Sequence, residues 1–185
     1  LANERAFRVD FASGRPGKEE AIAAAGGMLG LIPKPHGWLT FFGGYGRGKS
    51  GLLKALVAQT ILAGTPAKYT TAAQILAEIR SSYGEDAAQD EVSITAHLAG
   101  YPLLAVDEVD RIAQTAWAGS TLFRILDGRY NARGVLATIL ATNNDPAALP
   151  EEFAYLASRM RDGVCVLVGG EDLRGELPEA WYNTI

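Results

Sequence analysis

Gly43-Gly44-Tyr45-Gly46-Arg47-Gly48-Lys49-Ser50 satisfies the pattern G-x-x-x-x-G-K-S. In that pattern glycines let backbone N–H groups wrap phosphate oxygens, the lysine reaches the outer phosphates and the hydroxyl ligates magnesium. The match carries weight only between a strand and a helix, and both flanks read that way. Upstream, residues 38–42 form a short apolar run. Downstream, Leu52, Leu53, Leu56, Val57 and Ile61 recur at helical spacing until Gly64 and Pro66 stop them. A helix starting at the loop adds a favourable field for an anion. The stretch predicts a strand, a phosphate loop and a helix, with Gly43, Gly44, Tyr45, Gly46, Arg47, Gly48, Lys49, Ser50 and Gly51 around a polyphosphate.

Outward from this unit the same alternation continues. Residues 67–70 read as a second strand, followed by the periodic Ile75, Leu76 and Ile79. The polar, acidic stretch 84–91 predicts a surface loop, then a short helix to Gly100. Residues 103–106 are a continuous apolar run of the kind a parallel sheet buries on both faces, and it ends in Asp107-Glu108. Trp117, Leu122, Phe123, Ile125 and Leu126 predict a helix ending at Gly128, and 135–141 a further buried strand closed by Thr142-Asn143-Asn144. A last helix is expected over 151–161 and a last buried strand over 164–168. Ahead of the loop, the small-residue stretch 18–31 reads as a helix ended by Pro33 and Pro35. Five strands alternating with helices predict an α/β fold of three layers, α/β/α, around a mainly parallel five-stranded sheet.

A chain of 185 residues has the length of one domain, expected here as a lead-in at 1–35, a core at 36–175 and a tail at 176–185. Its apolar fraction of 48% and charged fraction of 21% argue against disorder. A net charge of -4 supplies no overall positive field for nucleic acid, so any DNA contact is local or created by assembly. The single Cys165 excludes an internal disulfide and, with Val164, Val166 and Leu167 beside it, reads as part of a buried strand. A reducing, cytoplasmic location follows, and no stretch is long and apolar enough to predict a membrane span. The isolated His36 and His97 do not suggest a zinc site. Trp38, Trp117 and Trp181 lie among apolar neighbours and read as packing residues. Lys68, Arg80 and Tyr83 read as a solvated helix face or as a local DNA contact.

Asp107 and Glu108 stand at the carboxyl end of a buried strand, where a doubly wound sheet opens its ligand crevice. There Asp107 is suited to holding magnesium and Glu108 to polarising the attacking water, since phosphoryl transfer rests on positioning and electrostatics. The adjacent carboxylates favour activating water over an acceptor hydroxyl, which sets a small-molecule kinase behind. Asn143, just past another strand, fits an amide holding the nucleophilic water or the terminal phosphate, or equally an ordinary strand-to-turn transition. Arg159 and Arg161 follow an amphipathic stretch; the pattern leaves open a phosphate contact or a surface role.

Taken together, Gly43 to Ser50, the run 103–108, Leu122-Phe123 through Arg129-Tyr130-Asn131, Thr142-Asn143 and Ser158-Arg159-Met160 resemble the AAA+ ATPases of the bacterial helicase-loader (DnaC-like) and IstB-like transposition-helper group. The resemblance runs from about Phe11 to Arg174. It implies a P-loop NTPase that binds and slowly hydrolyses Mg-ATP, with turnover stimulated by DNA or a partner. It implies a homo-oligomer in the ATP-bound state, acting on DNA, single-stranded ahead of duplex, with a replicative helicase or else a transposase. A nucleotide-dependent switch without turnover is the third reading. By the same resemblance Lys49 and Ser50 are the phosphate-loop pair, Asp107 and Ser50 hold magnesium, and Glu108 and Asn143 serve catalysis. Arg159 is the finger offered to a neighbouring subunit, and Arg174 a second sensor of the nucleotide. Arg47 departs from the group, where a small hydroxyl residue is more usual, and the eleven residues after Arg174 are too few for a C-terminal helical lid.

Overall fold

A computed structural model of the chain describes residues 9–10, 12–83, 90–112 and 115–174. Phe11, most of the loop expected over 84–91, and the tail 176–185 with Trp181 lie outside the described residues. The strands are β1 (Gly37–Phe42), β2 (Ala67–Thr71), β3 (Leu103–Asp107), β4 (Ala137–Thr142) and β5 (Val164–Leu167). The helices are α1 (Glu19–Leu29), α2 (Lys49–Leu62), α3 (Ala72–Ser81), α4 (Glu91–Gly100), α5 (Ala116–Asn131) and α6 (Ala154–Asp162). The strands make one sheet in the order β2-β3-β4-β1-β5, every pairing parallel.

Successive side chains of a strand point to opposite faces, so each strand feeds two cores. Leu39, Phe41, Leu103, Ala105 and Ile139 pack against α1 and α2 through Ala21, Ala25, Leu52, Leu53 and Leu56. Trp38, Leu104, Val106 and Leu140 pack on the other face against Ile75, Ile79, Leu98, Leu122, Leu126 and Met160 from α3 to α6. This is the three-layer arrangement the sequence pattern predicts. Local signals agree with it: the Thr71 hydroxyl accepts from Gln74 N at 3.1 Å while Gln74 Oε1 accepts from Thr71 N at 2.9 Å, a reciprocal cap that turns β2 into α3.

Three expectations change. The helix expected to end at Gly128 runs on to Asn131, because Arg129 is wholly buried and bonded. It donates to Thr138 Oγ1 at 2.9 Å, to the carbonyls of Ala99 at 2.8 Å and Tyr101 at 2.7 Å, and to that of Ala137. The next strand starts at Ala137 rather than 135, and Val135 stays exposed in the connecting turn. The strand around Cys165 is not buried. As β5 it forms an edge, pairing among the described residues with β1 alone, and Val164 and Leu167 lie more than half exposed, at 57% and 53%. Its four residues make a short edge, which limits its use as a template for other chains.

The strand order decides the position of the site. β4 lies between β1 and β3, with Phe42 opposite Thr142 and Val106 opposite Leu140. The carboxyl ends of three parallel strands therefore open side by side and deliver Gly43, Asn143 and Glu108 to one edge of the sheet. Among the described residues no helix follows β5.

Candidate functional site

The loop between β1 and α2 needs glycine at two points for space as well as conformation. Gly43 has φ 134°, and a Cβ there would lie 2.6 Å from the Val168 carbonyl oxygen. Gly46 has φ 69°, and a Cβ there would fall 1.8 Å from a carboxylate oxygen of Asp172. The segment after β5 thus forms an outer wall of the loop, and Leu173 N donates to Gly46 O at 2.8 Å. The Arg174 guanidinium and backbone N–H hold the Asp172 carboxyl down at about 2. From behind, the buried Lys18 donates its amine to the Arg47 carbonyl at 2.9 Å, to that of Gly169, and to that of Glu171 at 3.3 Å.

Lys49, the first residue of α2, is only 7% exposed. Its amine donates to Gly43 O at 2.6 Å, Gly44 O at 2.8 Å and Asn143 Oδ1 at 2.9 Å. Burial pulls it below the ordinary lysine value, opposed chiefly by the charges of Asp107 and Asp110. Asn143 is held from its other side by Asp110, which accepts from Asn143 N at 3.0 Å and from its Nδ2 at 3.4 Å. Asp110 also accepts from Asn144 Nδ2 at 3.0 Å.

Asp107, 3% exposed, turns toward the α2 face, as the alternation along β3 requires. Its Oδ2 accepts from the Tyr69 hydroxyl at 2.8 Å and its Oδ1 from Glu108 N at 2.8 Å. Burial first, then the Asp107 charge, raises the Tyr69 phenol far above its ordinary value. Glu108 adopts φ 53°, a left-handed conformation that costs a non-glycine residue roughly 1–2 kcal/mol. The turn lets Val109 N reach the Ala141 carbonyl at 3.1 Å and sends Asp110 over Asn143. The Glu108 carboxylate accepts from Arg111 at 2.6 Å on the open side.

These groups surround a cavity of about 290 Å³. Tyr45, Gly46, Arg47, Gly48, Lys49, Ser50, Gly51, Asp107, Glu108, Asn143 and Arg174 all line it. Gly43 and Gly44 do not; their carbonyls hold Lys49 instead. Arg159 is also absent from the lining. Its guanidinium pairs with Asp127 at 3.0 Å and lies over the Tyr130 ring, 4.2 Å from the centroid. Lys68, Arg80 and Tyr83 are outside the cavity too; Arg80 stacks on Trp117 and the Tyr83 hydroxyl donates to Glu91. Neighbours that the sequence reading missed are Asp110, Tyr69, Lys18 and Arg111. Asp110 was signalled by a third carboxylate in Asp107-Glu108-Val109-Asp110; the other three owe their place to tertiary contacts.

The donor set suits a nucleotide-borne magnesium ion. Ser50 and Asp107 both line the cavity and offer a hydroxyl and a carboxylate, hard oxygen donors of the kind Mg²⁺ takes alongside phosphates and water. Among the described residues no group of three or more His, Cys, Asp or Glu side chains would hold a metal alone.

A family model described as "ATPase family associated with various cellular activities (AAA)" matches residues 39–166. The chain belongs to this AAA family. No curated protein matches its sequence. Among solved structures, the AAA chain is similar to the replication initiator DnaA bound to AMPPCP and single-stranded DNA, at 19% identity and a TM-score of 0.74, covering 84% of this chain and 47% of that one. It is similar to DnaI at 17% identity and 0.68, covering 94% of each chain, and to the DnaC helicase loader at 17% and 0.65, covering 83% and 91%. At these identities the likeness is one of fold. The chain spans less than half the length of three of the initiator structures it matches. No described helix is long and apolar enough to cross a membrane.

Proposed function

We propose that this AAA domain binds and hydrolyses Mg-ATP, assembles on DNA in the ATP-bound state, and loads or recruits a replicative helicase. In this reading the amide groups of residues 43–51 and the start of α2 cradle the phosphates, and Lys49 exchanges its loop carbonyls for phosphate oxygens. Ser50 and Asp107 hold the magnesium ion, which supplies charge neutralisation when bound. Glu108 polarises the attacking water, whose oxygen bonds to the terminal phosphorus as the bond to the bridging oxygen breaks. Arg174 senses the nucleotide from the outer wall. We place the protein in the cytoplasm.

The observation that carries the assembly is the position of Arg159. It sits on α6, engaged by Asp127 and Tyr130 and outside its own cavity, which supports a role at the site of a second subunit over a role at its own. The likeness to DnaC, DnaI and single-strand-bound DnaA supports a loader on single-stranded DNA.

The test is mixing. Arg159→Ala subunits retain Lys49 and Glu108 but lack the finger, and lose turnover by roughly a thousandfold or more while still binding ATP. Glu108→Gln subunits are inactive but keep Arg159. Combined, the two recover part of the hydrolysis; no recovery despite co-assembly by light scattering withdraws the oligomeric mechanism. Anisotropy with labelled oligonucleotides then decides the DNA: a duplex preference turns the reading to a transposition helper. Absent turnover even with DNA and partner turns it to a switch.

A further inference from the structure

Asn143 lies between a group that only donates and a group that only accepts. On one side the Lys49 ammonium offers N–H and nothing else; on the other the Asp110 carboxylate offers lone pairs and nothing else. A primary amide has one oxygen and one NH2, so a single orientation satisfies both neighbours: Oδ1 toward Lys49, Nδ2 toward Asp110. The backbone leaves little slack, since Asp110 also takes the N–H of Asn143 at 3.0 Å and the side-chain amide of Asn144 at 3.0 Å. The carboxylate is brought there by the left-handed Glu108 and the bond from Val109 N to Ala141 O, which fold the end of β3 over the end of β4.

We propose that Asp110 is a positioning residue of the hydrolytic site, holding the Asn143 amide so that it presents an acceptor, not a donor, to the cavity. The inference rests on the ATPase reading above and settles which of two jobs the amide does. When phosphate oxygens take over the donors of Lys49, Asn143 Oδ1 loses its partner. Another phosphate oxygen repels it, whereas a water molecule has a proton to give it. Asn143 Oδ1 and the Glu108 carboxylate then accept the two protons of one water and aim its lone pair. An amide oriented the other way would instead donate to the terminal phosphate and help binding as much as turnover.

Asp110→Asn keeps the size and the acceptor for Asn143 N but removes the polarity that fixes the amide. Expected results are ATP affinity within about twofold of wild type and kcat lower by about 10- to 100-fold, the cost of a misdirected reacting group. In an Asn143→Ala background the same change has no further effect, because Asp110 acts through that amide. A full, independent loss in that background, or a loss of ATP affinity equal to the loss of kcat, overturns the proposal. A second measurement does not need turnover. In the nucleotide-free protein, the Asn143 side-chain NH2 resonances shift in Asp110→Asn and in Asp110→Ala; unchanged resonances in both overturn the proposal. A wild type without turnover refutes the ATPase reading instead, and the resonances alone then decide the amide orientation.

Discussion

Two buried cations stand at opposite ends of the same sheet. Lys49 sits at the carboxyl end of β1, against loop carbonyls and an asparagine, beside an open cavity and within the field of Asp107 and Asp110. Arg129 sits near the amino ends of β3 and β4, sealed from solvent, and finds a threonine hydroxyl and three carbonyls. Burial lowers the Arg129 guanidinium to about 10. Both are satisfied, but only the partners of Lys49 can be exchanged for a ligand. Burial of a charge therefore marks function here only where the surrounding acceptors face a cavity; elsewhere it staples strands together.

That contrast is open to attack from both ends. At the phosphate end, Glu108→Gln keeps shape but weakens the pull on water: kcat falls by about 100- to 1000-fold with Mg-ATP binding retained, as read by turnover and nucleotide titration. Lys49→Ala weakens ATP binding by about 100-fold, near 2.7 kcal/mol, with circular dichroism and melting little changed. A folded variant with wild-type affinity breaks the contrast at the phosphate end. Arg129→Met does the reverse. It fills much of the volume but orphans buried acceptors, so denaturant unfolding shows a loss of about 2 kcal/mol while the folded protein binds ATP normally. Lost affinity without lost stability breaks the contrast at the other end. The smallest change in stability has the opposite sign: Glu108→Gly relieves a left-handed residue and raises stability by roughly 0.5–1 kcal/mol, read by denaturant unfolding.

The strands and the phosphate loop were legible because their signals are local. The run 103–106 is of the kind a parallel sheet buries on both faces, and Gly43 to Ser50 fits a phosphate loop because a strand and a helix flank it. What local signals omit is strand order. Placing β4 between β1 and β3 brings Asn143 against Lys49 across 94 positions of sequence, and no periodicity encodes that step. Tyr69 on Asp107 and Lys18 behind Arg47 escaped for the same reason. Asp110 was nearer to hand, three residues past Asp107, yet its role depends on the left-handed turn at Glu108, a conformation that a glutamate does not advertise. The edge at Val164 was misjudged because apolar residues on a four-residue strand look the same whether one or two neighbours flank it.

The lead-in segment carries a mechanical consequence. Gly169 N bonds the Gly17 carbonyl at 3.0 Å, a Cβ on Gly17 would come within 2.6 Å of Gly170 N, and next to this contact the Lys18 amine rivets the carbonyls of Arg47, Gly169 and Glu171. Tension applied at residue 17 is delivered to the middle of the phosphate loop and to the last strand's exit together, with no slack segment between them to absorb it. The phosphate loop is in this sense braced by the lead-in segment, and the stiffness of that connection depends on one amine shielded from water.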